Sequence, residues 1–160
     1  FFQNFSEDFL LEAVLSGQLR LPAGTGKEAF IDADDIAEVA VAALTDDRHD
    51  GRYYELTGPR MLSFDEIADE IKRCAGVELE YVPLTPDAYV TEQIAQGVPA
   101  DWAYTLSSLY GDIAKGKLEK ISDDVVSVLG KPPRDFIDFV SNMAKTGTWD
   151  GDTSKHLPYV

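Results

Sequence analysis

Along this chain apolar residues fall mostly three and four positions apart, the spacing that lines one face of a helix. Phe9, Leu10, Ala13 and Val14 trace such a face, and the spacing predicts a first helix from an N-cap at Ser6 to Gly17, with Glu7 and Asp8 at its positive end. Leu19–Leu21 is a brief strand candidate, and Pro22 to Lys27 is turn chemistry leading to a short strand over Glu28–Ile31. Ile36, Val39, Ala40, Ala43 and Leu44 then predict a helix from about Asp34 to Leu44, its alanines suited to close packing as an inner, covering helix. After a polar turn over Asp46–Gly51, the aromatic run Arg52–Gly58 has strand character until Gly58-Pro59 breaks it.

Helix boundaries are marked strongly in the second half. Ser63-Phe64-Asp65-Glu66 is a capping box ahead of the stripe Phe64, Ile67, Ala68 and Ile71, and Gly76 falls where a left-handed cap belongs. Glu78–Pro83 alternates like a half-exposed strand. Thr85-Pro86 opens a helix to about Gln96, and Trp102, Leu106, Leu109, Tyr110 and Ile113 give the next one a broad apolar face. Ser122-Asp123-Asp124 caps a shorter helix through Leu129, Gly130-Lys131-Pro132-Pro133 stops it, and Phe136 begins the last helix. Strands alternating with helices predict parallel α/β construction. No linker divides the chain: residues 1–145 form one unit, and the Gly-, Asp- and Thr-rich stretch 146–160 is expected to be a flexible tail.

Charge narrows the function classes. The 160 residues hold 14 Lys plus Arg against 29 Asp plus Glu, a formal charge of −15 that repels the phosphate backbone on which nucleic-acid affinity depends. No apolar run approaches the roughly 20 residues that cross a bilayer, so no membrane partner is expected. The single cysteine, Cys74, has no internal disulfide partner, as befits a reducing, cytoplasmic setting.

Candidate chemistry is sparse. Gly24-Thr25-Gly26-Lys27 lacks the glycine spacing of a phosphate loop, and Glu28 stands where a hydroxyl is needed, so the stretch reads as a turn. No G-x-G-x-x-G fingerprint is present. His49 among Asp46, Asp47 and Asp50 has the spacing of a hydrated turn, His156 lies near the chain end, and no metal site is expected. Asp32, Asp34 and Asp35 can be read as paired carboxylates, but at a strand-to-helix junction capping and dipole charge explain both their type and position. Trp102, Tyr104, Leu106, Tyr110, Tyr81 and Tyr89 are candidates for an apolar ligand pocket, with core packing as the competing role.

Several segments in order resemble the NmrA-like proteins, atypical short-chain dehydrogenase/reductases. Phe2-Gln3-Asn4-Phe5 is similar to their F-M-E/Q-N-F segment, and Phe30-Ile31-Asp32-Ala33-Asp34-Asp35-Ile36-Ala37 to F-[IV]-D-x-x-D-[IV]-[AG]. Tyr54–Pro59 resembles a Y-x-L-T-G strand, Ser63–Ala68 the helix that follows it, and Leu129–Phe136 the L-G-R-x-P-R/T-x-F/L ending. The resemblance implies the C-terminal portion of a Rossmann-type protein: late parallel strands plus a mostly helical substrate-side subdomain. NADP(H) or NAD(H) would be bound mainly by an N-terminal half that this chain lacks, so these residues alone are not expected to be competent. Phe2, Gln3 and Asn4 would approach the nicotinamide, Asn4 either bonding a carboxamide or substrate oxygen or fixing the turn after it. Trp102, Tyr104 and Leu106 would line the pocket for a small quinone-like or carbonyl substrate. Partners would be that substrate and either the N-terminal half or a second copy. The alternative is a dinucleotide-sensing regulator that binds NAD(P) and a protein without turnover. The superfamily's Tyr-x-x-x-Lys pair is absent here.

Overall fold

The computed structural model describes residues 1–7 and 9–150. Helices α1 (Leu11–Ser16), α2 (Ala33–Thr45), α3 (Phe64–Ala75), α4 (Pro86–Ala95), α5 (Ala100–Ala114), α6 (Asp124–Leu129) and α7 (Phe136–Thr146) surround one parallel strand pair, β1 (Gln18–Leu21) and β2 (Glu80–Pro83). In this pair Gln18 lies opposite Glu80 and Leu21 opposite Pro83, and the Tyr81 hydroxyl donates across it to the Leu21 carbonyl at 3.2 Å. The expected mixed α/β class with parallel strands is what forms.

Most caps read from sequence hold in detail, whereas at α6 the N-cap is Asp123 and makes no side-chain cap bond. Ser63 Oγ accepts from the Glu66 N–H at 3.2 Å while Glu66 accepts from the Ser63 N–H at 2.8 Å. Thr85 caps α4 through the Ala88 N–H, and Asp32 caps α2 through the Asp34 N–H. Ser63→Ala removes one of these acceptors and leaves an orphan donor at α3, so a loss of about 1 kcal/mol is expected in urea unfolding; an unchanged midpoint would show that the cap is redundant.

Packing centres on phenylalanines from distant segments. Phe2 meets Phe136 at 5.1 Å and Phe139 at 5.5 Å, while Phe5 meets Phe136 at 5.7 Å and Phe30 at 5.9 Å, mostly edge to face. Arg60 fastens α3 to the start of α7: its guanidinium reaches both oxygens of Glu70 (2.7 and 2.8 Å) and both of Asp135 (2.7 and 2.8 Å). That contact holds the Asp135 carboxyl below its ordinary range while Asp135 also caps α7 through the Ile137 N–H.

Five expectations are corrected. Ser6 does not cap a helix: Phe2–Phe5 form a 3₁₀ turn, Ser6 donates to the Gln3 carbonyl, and α1 starts only at Leu11. Competing local hydrogen bonds to Gln3 win over the capping geometry. Glu28–Ile31 makes a single antiparallel bridge, Glu28 with Leu62, in place of a strand. Arg52–Gly58 forms no ladder either, because no neighbouring strand runs alongside it among the described residues and β character needs one. Its Glu55 N–H turns instead to the Asp124 carboxylate at 2.7 Å. Helix α2 is not an inner covering helix: Asp35 and Val39 face inward, while Val41 and Leu44 are 61% and 86% exposed. Its apolar residues occupy more than one face, so only one row can be buried. Finally, the stretch expected to be loose from Thr146 is docked at Trp149, which is buried and donates its indole N–H to the Phe5 carbonyl at 2.9 Å; 151–160 lie outside the described residues.

One backbone contact positions Ile31 and Asp32. The Gly58 N–H donates to Ala29 at 3.2 Å, and a Cβ on Gly58 would stand 1.8 Å from the Phe30 carbonyl oxygen. Only glycine lets these two extended segments cross so closely.

Candidate functional site

The crossing delivers Ile31 and Asp32 to the Phe2–Phe5 turn. The Phe2 N–H donates to the Ile31 carbonyl at 2.9 Å. The Gln3 amide then closes a clasp on the start of α2: its Nε2 donates to Asp32 Oδ1 at 2.8 Å, and its Oε1 accepts the Ala33 N–H at 2.9 Å. Both ends of the Gln3 side chain are thereby used. Asn4, next in the chain, is half-buried and its amide makes no side-chain hydrogen bond to any described residue.

The Phe2 ring is buried between Phe136 and Phe139, so the segment offers a ligand its backbone and the Asn4 amide before it offers that ring. Beside Gln3 lies a groove of about 300 Å3 bordered by Asp32, Asp34, Arg134, Asp138 and Met143. Arg134 is already engaged. Its guanidinium pairs with Asp35 and, at 2.6 Å, with Glu38, and its backbone N–H donates to Asp35 Oδ2 at 2.7 Å. Asp35 is therefore a fully buried carboxylate held from two sides, not merely a charge at the helix end. Sequence reasoning missed this pairing; the signal was an acid on the inward row of α2 and an arginine just ahead of α7.

The second candidate group sits on and around α5. Leu106 is buried on its inner face with Ala103 and Tyr110, whereas Trp102 and Tyr104 stand outward, 54% and 62% exposed. Tyr110 packs edge-on against Tyr89 at 5.5 Å and Phe64 at 5.7 Å. Burial pushes the Tyr89 hydroxyl up to about 12 and raises Tyr110 further, so both stay neutral phenols.

Phosphate finds no cradle in the glycine turn. Lys27 is paired with Glu66 at 2.6 Å, and Gly26 presses on α5, where a Cβ would come within 1.9 Å of the Ile113 carbonyl oxygen. The residues present fit an uncharged carboxamide at Asn4 better than a pyrophosphate. His49 bonds the Tyr54 hydroxyl at 2.7 Å, and no group of three potential metal ligands occurs among the described residues. An open depression of about 690 Å3 between α3 and the strand pair is bordered by Asp65, Asp69, Lys72, Glu78 and Glu80, a charged surface that does not include Asn4. No helix among the described residues is long and apolar enough to cross a membrane.

No family model matches the chain. In sequence it is 37% identical over 142 residues to the uncharacterized oxidoreductase YesF of Bacillus subtilis, covering 88% of this chain and 50% of that protein. It is likewise 37% identical over 123 residues to the NAD(P)H azoreductase of Xenophilus azovorans, covering 77% of this chain and 43% of the relative. Among solved structures, the NADPH-dependent quinone oxidoreductase QOR2 of Escherichia coli superposes with a TM-score of 0.77 at 24% identity, over 89% of this chain and 52% of that one. The Citrobacter triphenylmethane reductase complexed with NADP(H) gives 0.72 at 24% identity, over 84% and 47%. The chain spans about half the length of the curated relatives it matches. The structural likeness establishes the fold, and these two sequence relatives are named as an oxidoreductase and an NAD(P)H azoreductase.

Proposed function

We propose that these residues are the C-terminal, substrate-side part of an NmrA-like NAD(P)H-dependent oxidoreductase acting on a small quinone-like or carbonyl substrate. The observation that carries this reading is the Gln3 clasp, which spends one amide on α2 while the next amide, that of Asn4, has no side-chain hydrogen bond to any described residue. A neutral amide both donates and accepts, as a nicotinamide carboxamide or a substrate oxygen requires. The acids of the adjoining groove discourage phosphate, which agrees with the dinucleotide phosphates being held by residues beyond this chain. The relatives named for quinone and azo reduction support the reaction class.

The bound nicotinamide would supply a hydride. This chain's contribution would be to hold the acceptor: Asn4 would orient it, and the outward face of α5, with Trp102 and Tyr104 and with Leu106 behind them on the inner face, would close the apolar side. The exposed Val41, Leu44 and Tyr53 are the surfaces that the rest of the protein, or a second copy, would cover. Cys74, half-buried and unpaired, suits a cytoplasmic setting.

Full-length protein mixed with NADPH and a panel of quinones should consume the reduced nicotinamide, followed by its absorbance. Asn4→Ala should lower kcat/KM about tenfold, the worth of one hydrogen bond of ~1.4 kcal/mol. Saturable NADPH binding without turnover on any quinone would sink the enzyme reading.

A further inference from the structure

Asn4 sits inside a turn that is held at both ends. The Gln3 carbonyl accepts the Ser6 N–H at 3.0 Å and the Glu7 N–H at 3.0 Å, which makes Asn4 and Phe5 the central pair of one tight turn. Upstream, the Gln3 amide is anchored on Asp32 and Ala33. Downstream, the anchor comes from 144 residues away: the Trp149 indole N–H donates to the Phe5 carbonyl at 2.9 Å. Trp149 is 6% exposed, so water does not compete for this bond, and a side chain that cannot donate would leave a buried carbonyl short of a partner.

A peptide group is planar, so the Phe5 carbonyl and the Ser6 N–H belong to one rigid unit. Trp149 holds the carbonyl end of that unit and Gln3 holds the N–H end. If the plane rotated to find the carbonyl another donor, the Ser6 N–H would leave Gln3 and the turn would open at Asn4. Trp149 reaches this position because α7 ends on Gly147 at φ 70, whose left-handed backbone turns the chain back, the Gly147 N–H donating to Ala144 and the Thr148 N–H to Met143. The start of the same helix packs Phe136 against the Phe5 ring. Its end, with Asn142, Met143 and Thr148, walls the groove beside Gln3. One element therefore builds the groove wall and fixes the turn that carries Asn4.

We propose that Trp149 is a positioning residue for Asn4 and, resting on the oxidoreductase reading above, that the segment after α7 sets the grip of the Asn4 amide on its ligand. Phenylalanine keeps most of the ring and cannot donate, so Trp149→Phe isolates the hydrogen bond. Asparagine-selective isotope labelling of the full-length protein gives the Asn4 side-chain amide signals by NMR, identified by their loss in Asn4→Ala. In Trp149→Phe those signals should shift and broaden. With NADPH and a quinone, kcat/KM should fall about fivefold, less than in Asn4→Ala, because the amide is loosened and not removed. The double variant should then be no worse than Asn4→Ala alone. Unmoved Asn4 signals in Trp149→Phe, or an undiminished loss from Trp149→Phe in the Asn4→Ala background, would overturn the proposal. Moved signals in a protein that turns over no quinone would instead fault the oxidoreductase reading and leave the positioning role standing. Should Trp149→Phe not fold, the parent decides: its Trp149 indole N–H signal should shift on saturation with NADP+ and a quinone, a pair that cannot react, and a fixed signal would refute the coupling.

Discussion

Phe5→Ala is expected to lower unfolding stability by about 4 kcal/mol, the cost of deleting a well-packed aromatic ring and leaving its cavity. Phe5 is fully buried, and its ring meets Phe136 at 5.7 Å, Phe30 at 5.9 Å and Phe64 at 6.3 Å. These neighbours come from α7, the extended segment before α2, and α3, each fixed by its own cap or crossing, so they cannot close together over the void. The Phe5 carbonyl also receives the Trp149 indole N–H, and that bond depends on the turn staying in place. Total stability of a domain this size is roughly 5–15 kcal/mol, so the loss removes between about a quarter and most of it. Urea unfolding with the slope unchanged and the midpoint sharply lowered is the expected record. A loss below about 1 kcal/mol would mean that the aromatic cluster relaxes far more than its separate supports allow.

Arg134→Ala should cost about 2–3 kcal/mol, toward the lower side of what breaking a buried ion pair does, because the guanidinium is about one-third exposed while Asp35 is not exposed at all. The substitution keeps the backbone N–H that donates to Asp35 and removes only the countercharge. The penalty then comes from a stranded carboxylate, not from lost packing. Adding Asp35→Asn should therefore restore part of the loss, since the neutral amide still accepts from the Arg134 backbone. A double variant less stable than Arg134→Ala alone would refute that account, and the cycle measures the coupling directly.

Local rules explain why the helix ends were legible. Ser63, Thr85, Asp32 and the left-handed Gly76 and Gly130 act within a few residues of themselves, and each cap stands where its sequence put it. Ser6 failed for a reason equally local, since its backbone N–H closes the Phe2–Phe5 turn on the Gln3 carbonyl and leaves Ser6 outside the extended conformation of an N-cap. The 52–58 segment was misjudged because strand formation depends on a neighbour that the segment itself does not specify. Helix α2 carries apolar residues on several faces, so periodicity could not choose the buried row. The Asp35–Arg134 pair spans 99 residues and the Trp149–Phe5 bond 144; neither distance is visible to spacing arguments. In the candidate site, the resemblance points to residues 2–4, but only the fold separates Gln3, whose amide is engaged at both ends, from Asn4, whose amide bonds no described residue.

That division of labour has a thermodynamic side. Because one amide bridges the Asp32 carboxylate and the Ala33 N–H, the order of the first turn of α2 and the geometry presented by Asn4 are a single equilibrium. A ligand bound at Asn4, as proposed, would gain affinity from a firmly wound α2, and by reciprocity would tighten that helix by the same free energy.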